Sequence, residues 1–254
     1  MKTLFKIILL ITFTSSSLIA NNRTNYELFQ KANQYYKEKK FSKAITTYNE
    51  LINKGIVNSD IYYNLGNAYF KNAQVAEAIL FYERALKLNP DDEDIKFNLK
   101  IANLKIVDKI NPVPKLFFIE WYESAYKTFS SETWAKLLVI TIWSFFSLLL
   151  IYFLVYNITI RKIAFFSSLF SLILIILFTI FAAEQYSNEN SKNEAIILSP
   201  TVYVKNSPDE KSTDLFILHQ GTKVKILDKV DTWNKIKIED GNIGWIPVST
   251  IEII

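Results

Sequence analysis

Tyr63-Asn64-Leu65-Gly66-Asn67-Ala68-Tyr69, followed by Ala78, Tyr82, Ala85 and Pro90, is the stretch that decides how the first half of the chain folds. Its apolar and small residues recur at helical spacing, so it reads as two helices, the second ended by Pro90. The pattern also stands 34 residues earlier: Leu28 falls on Tyr62, Ala32 on Gly66, Tyr35 on Tyr69, Ala44 on Ala78, Tyr48 on Tyr82 and Leu51 on Ala85. Small residues at Gly66, Ala78 and Ala85 let paired helices approach, and aromatics fill the gaps between them. Two such units, 25–58 and 59–92, cannot cover their own apolar face, so a capping helix is expected over 93–107. The acidic run Asp91 to Asp94 reads as the N-terminus of that helix, where carboxylates cap free amides.

This pattern resembles the tetratricopeptide repeat, in which the first helix of each unit lines a groove for extended peptides. The resemblance places Phe29, Asn33, Tyr36, Tyr63, Asn64, Asn67, Phe70, Phe97, Asn98 and Ile101 on that groove. Asn33 and Asn64 match the asparagines of the family's dicarboxylate clamp, but Phe29, Asp94 and Asn98 stand where its basic residues would be. Recognition of a free acidic C-terminus is therefore not expected, whereas amides beside aromatics suit a bound backbone with apolar side chains. The competing reading is that these asparagines only brace neighbouring helices.

Outside the repeats, the N-terminus carries Lys2 and Lys6, an apolar core from Ile7 to Phe13 and Ala20, the pattern of a signal peptide over 1–20. Leu137 to Tyr156 and Ile163 to Ala183 contain no charge over 20 and 21 residues, enough for two helical spans. Arg161 and Lys162 in the short connection predict that it faces the cytoplasm and that both flanking domains are exported. Trp134, Trp143, Tyr152 and Tyr156 read as interfacial or lipid-facing aromatics. Before the spans, Pro112 and Pro114 stop the cap helix, and Phe118, Trp121, Tyr122, Ala125 and Phe129 form one helical face suited to a membrane interface or to a partner. Ser130 looks like the cap of the first span.

After Glu194 the period changes to that of short strands, punctuated at Ser207-Pro208, Gln220-Gly221 and Asp240-Gly241-Asn242. The landmarks Asn206-Ser207-Pro208, Gly221, Trp233, Asp240-Gly241 and Gly244-Trp245 resemble bacterial SH3-like domains. In that reading Trp245 packs under the barrel, and Tyr203, Trp233 and Trp245 are candidates for a ligand face. His219 reads as exposed or half packed beside a turn.

The predicted architecture is a multidomain membrane protein: an all-α tetratricopeptide solenoid, a two-helix transmembrane hairpin and a small all-β SH3-like barrel. Its order is signal peptide 1–20, repeat domain 21–110, juxtamembrane helix 111–134, first span 135–156, cytoplasmic loop 157–162, second span 163–183, linker 184–194 and SH3-like domain 195–254. Composition removes several chemistries. Absence of Cys excludes thiolate and Cys-based metal sites, and a single His leaves no imidazole pair. The five glycines all fall in repeat or barrel positions, leaving none for a phosphate loop. A net charge of +4 is too small for a nucleic-acid footprint. No catalytic residue, metal or cofactor is expected.

The whole order, with Asn111 to Trp134 as its most distinctive stretch, resembles the Bat aerotolerance family. That resemblance implies a bacterial inner-membrane scaffold with periplasmic domains, acting beside partners that carry von Willebrand factor A domains. A cell-wall sensor that binds peptidoglycan through the SH3-like domain is the alternative.

Overall fold

The computed structural model describes residues 24–254, so the segment 1–20 read as a signal peptide lies outside the described residues. Five helices form the repeat domain: α1 over 24–37, α2 Phe41–Asn53, α3 Ser59–Lys71, α4 Val75–Leu88 and α5 Glu93–Asn103. The 34-residue offset is also written in the backbone. Lys39 and Ala73, one offset apart, both turn the chain with positive φ of 59° and 63°, a conformation that non-glycine residues adopt at a cost. Asn58 caps α3 by accepting from Ile61 N–H, and Asp92 caps α5 by accepting from Asp94 and Ile95 N–H. At Gly66 an added Cβ would lie 2.7 Å from the Tyr82 ring, so α3 and α4 meet at a distance only glycine permits.

The expected helix over 93–107 ends at Asn103, where Lys109 Nζ binds the Asn103 and Leu104 carbonyls. Beyond it the chain forms no regular helix or strand until α6, Phe117–Tyr126, which packs on the hairpin through Tyr122 and Phe181, with ring centroids 6.0 Å apart. The hairpin is α7, Ser131–Leu154, and α8, Ile158–Asn190, both long and apolar enough to cross a membrane. Ala164, Ser168 and Ser171 line the buried side of α8, small residues that permit close packing. Hydroxyls within both helices donate to their own carbonyls, as Thr141 does to Leu137 and Thr179 to Ile175.

Three expectations for this region are corrected. Residues 158–162 are helical rather than loop, because the Asn157 side chain caps α8 by accepting from Thr159 and Ile160 N–H. Residues 184–190 extend α8 rather than forming a linker, because Gln185 is buried and Glu189 caps the start of α7 by accepting from Ser131 N–H at 2.8 Å. Trp134 is not lipid-facing: only 6% exposed, it sits against Phe129, Phe178 and Phe181 and donates to the Tyr126 carbonyl. Trp143 and Tyr156 are exposed.

The C-terminal module is a seven-stranded antiparallel sheet, ordered β3-β2-β6-β5-β4-β1-β7. Its strands are β1 Glu194–Ile197, β2 Thr201–Lys205, β3 Asp214–His219, β4 Lys223–Val230, β5 Trp233–Lys237, β6 Ile243–Pro247 and β7 Ile251–Ile253. Its interior holds Ala195, Ile197, Val202, Val204, Leu218, Val224, Ile236, Ile238 and Ile246. Trp245 is corrected to the outer face. The inward residue is Gly244, whose Cβ would meet Val204 Cγ1 at 2.3 Å, and alternation then turns the indole outward.

Sequence reading left the relation between repeats and barrel open, and the structure joins them into one body. Ile196 of β1 is buried in the repeat core, with Leu198 and Ile254 packed beside it, while Ile110 packs against the barrel core. Gly221, at φ 91°, fits under Ile106, where a Cβ would lie 2.5 Å from Cγ2. Lys223 Nζ lies 3.0 Å from both Glu83 of α4 and Glu194 of β1, and Arg84 pairs with Glu252 at 2.9 Å. Asp108 accepts from His219 N–H at 2.7 Å and from the Thr222 hydroxyl at 2.6 Å, and its other oxygen lies 2.7 Å from His219 Nδ1. His219 is thus half packed, with a partner that sequence reading missed.

The charges at this seam give it a pH dependence. Burial works against the charged form of Glu194, yet Lys223, Lys127 and Lys87 hold its carboxyl below the usual range. Burial likewise opposes Asp108, and the bonds from Thr222 and His219 overcome it. Lowered carboxylate values stabilise the docked state above about pH 4, and that stability disappears as pH falls through them. Burial also opposes the Lys223 cation, but Glu83 and Glu194 raise its pKa above the ordinary lysine value, so its contribution persists until pH climbs past the alkaline range. Labels on Lys54 and Glu210 should therefore report a fixed distance at neutral pH and a broadened one near pH 3; an unchanged distance in acid would contradict the role of these carboxylates.

Candidate functional site

The groove is built on a hydrogen-bond ladder with the repeat period. Tyr82 donates its hydroxyl to Asn67 Oδ1 at 2.7 Å, and Tyr48, one period earlier, donates to Asn33 Oδ1. Asn98 Nδ2 donates to Asn67 Oδ1 at 3.1 Å, and Asn64 Nδ2 stands in the matching place 3.5 Å from Asn33 Oδ1. Asn98 Nδ2 also donates to the Tyr63 hydroxyl at 2.8 Å. The asparagines therefore do join neighbouring helices. Burial raises the Tyr48 and Tyr82 phenols well above the ordinary value, so both remain donors through neutral pH.

Beside the ladder lies a concavity of about 260 Å³ that gathers Tyr36, Tyr63, Asn67, Phe70, Asn98 and Ile101, together with Lys71 and Tyr82. The other groove candidates stand outside it. Asn33 and Asn64 are half-buried along the ladder, and Phe29 packs edge-on to Tyr48 with centroids 6.1 Å apart. Phe97, 64% exposed, does not line the concavity, because α5 turns Asn98 and Ile101 toward it instead. Lys71 and Tyr82 were missed as lining residues; the first reads as an ordinary surface lysine and the second as core.

The ladder occupies the carbonyls of Asn33 and Asn67 but leaves their Nδ2 groups, and the carbonyls of Asn64 and Asn98, without a partner among the described residues. A concavity edged by fixed amides and floored by aromatics can pair an extended backbone while burying apolar side chains.

On the barrel, Tyr203, Trp233 and Trp245 share the outward face. Trp245 is register partner to Lys205 and Lys235, and Trp233 to Pro247 on the same side. Tyr203 is exposed, the two tryptophans are half-buried, and Lys235 Nζ lies 5.9 Å from the Trp245 ring centroid.

Comparison with known families gives three matches. Residues 59–92 match the tetratricopeptide repeat, residues 32–72 match a TPR repeat, and residues 200–252 match the bacterial SH3 domain. No curated protein matches the chain. Modules of both kinds are typically interaction modules without catalytic machinery. The chain thus carries tetratricopeptide repeats and a bacterial SH3 domain on either side of two long apolar helices.

Proposed function

We propose that the protein is a membrane-anchored scaffold whose repeat groove holds an extended segment of a protein partner. The observation that carries this reading is the repeat-period ladder, which fixes asparagine amides beside an aromatic concavity and leaves half of their polar atoms unmatched among the described residues. The hairpin supplies the anchor. The positive charge of Arg161 and Lys162 at its tip supports a topology with that end in the cytoplasm and both modules in the periplasm of a bacterial inner membrane. The domain order further supports a Bat-type envelope complex, with von Willebrand factor A membrane proteins as the partners. Exchanging Tyr36 and Ile101 together for alanine should lower capture of the groove partner about tenfold or more, with the helical melt unchanged. Full capture by that variant would overturn the groove as the binding site.

The open aromatic face of Tyr203, Trp233 and Trp245 favours one second reading, a sensor that binds peptidoglycan through the SH3 domain. Retention of the full chain on purified wall material, lost on Trp245→Ala, is its signature. The scaffold reading requires no such retention.

A further inference from the structure

Where the repeat domain, the outer end of the hairpin and the barrel meet, they enclose a crevice of about 560 Å³, within the range of small-molecule sites. Its walls come from all three parts: Glu83 and Lys87 of α4, Lys127 after α6, Gln185 of α8, and Glu194 and Lys223 of the barrel. Gln185 is 1% exposed. Its Nε2 donates to Glu189 Oε1 at 3.1 Å, which fixes the amide orientation, and its Oε1 has no hydrogen-bond partner among the described residues. A buried carbonyl in that state costs free energy, and a ligand bearing an N–H or O–H donor would relieve it. Lys223 is already engaged by Glu83 and Glu194, and Lys87 by the Ser191 and Ile254 main-chain oxygens. Lys127 is more loosely held, 3.4 Å from Glu123 and 43% exposed. The lining thus offers cations, carboxylates and one unsatisfied acceptor together.

Position narrows the ligand. Gln185 follows the charge-free run that ends at Ala183 by two residues, about 3 Å of helix rise. If α8 spans the bilayer, as the proposed function holds, the crevice opens at the level of the lipid headgroups. A choline headgroup has no donor for Gln185, and a glycerol headgroup has no cation for Glu194. We propose that the crevice binds the headgroup of a phosphatidylethanolamine-type lipid, its ammonium donating to Gln185 Oε1 and facing Glu194, its phosphate beside Lys127 and Lys87. The bound lipid would lock the three parts of the molecule together at the membrane surface.

The test uses the full chain in nanodiscs of phosphatidylcholine doped with equal amounts of phosphatidylethanolamine and phosphatidylglycerol. The lipids that stay with the protein on release into the gas phase are counted by native mass spectrometry. The expected result is retention of phosphatidylethanolamine over both others, reduced about tenfold in Gln185→Leu and in Lys127→Met, each checked for an unchanged melt. Equal retention of all three lipids, or full retention by both variants, would overturn the site while leaving the anchor intact. Should a variant misfold, the preference of the wild-type chain decides alone. A chain that does not enter the discs would overturn the membrane reading, and the lipid site with it. Stabilisation by soluble phosphoethanolamine without lipid enrichment would overturn the lipid as the source.

Discussion

Gly66→Leu is expected to destabilise the repeat domain by about 3 kcal/mol or more. Even the first added carbon would stand 2.7 and 2.8 Å from two atoms of the Tyr82 ring and 3.3 Å from the Ala78 carbonyl. The ring cannot yield easily: Tyr82 is 1% exposed and its hydroxyl is tied to Asn67. Relief must come from moving α3 away from α4, which opens the core around Leu65 and Ile79 and pulls the ladder apart. Gly66→Ala should cost less, because the gain in helix propensity, about 1 kcal/mol, offsets part of the clash. Hydrogen exchange over 59–88 in the full chain reads the effect without interference from the hairpin. Wild-type protection in Gly66→Leu would contradict the close approach.

Lys223→Met should undock the barrel while leaving it folded. The substitution strips the shared cation from Glu83 and Glu194, and two like charges are left facing each other at the edge of a buried seam. Breaking such a pair costs about 2 to 5 kcal/mol, and the lower part of that range applies because Lys223 keeps 29% of its side chain exposed. Because the chain has no native Cys, labels can be placed at Lys54 and Glu210 alone. Their separation should broaden in Lys223→Met and recover when Glu83 and Glu194 are made apolar as well, since a matched apolar set replaces a buried ionic one at little cost. A narrow distance distribution in the single variant would show that apolar contacts at Ile196 and Gly221 hold the seam without the charges.

Legibility in the sequence followed the range of the interactions. The repeat was readable because its signal is periodic: the same small and aromatic types return at a fixed offset, and the helices they form pack on their nearest neighbours. Six of the barrel strands showed through alternation and turn residues; β7 did not, since Ile251-Glu252-Ile253 is too short to carry a pattern. The seam was illegible. Asp108 meets His219 and Thr222 across more than a hundred residues, and Lys223 looks like any outward lysine at the start of a strand. Trp134 was misplaced for a related reason: its burial depends on α6 folding back onto α8, which no local spacing announces. In the groove, the resemblance named most lining residues, but which atoms each asparagine commits to the ladder depends on the neighbouring helices.

In the proposed function the concavity beside the ladder holds a segment of an exported or membrane partner. The most direct test is photo-crosslinking in native membranes from position 71, where the exposed Lys71 edges the concavity without taking part in the ladder. The expected result is a discrete set of adducts with membrane-anchored or exported proteins, lost when Tyr36 and Ile101 are alanine. Adducts with cytoplasmic proteins, or adducts indifferent to the two alanines, would contradict it.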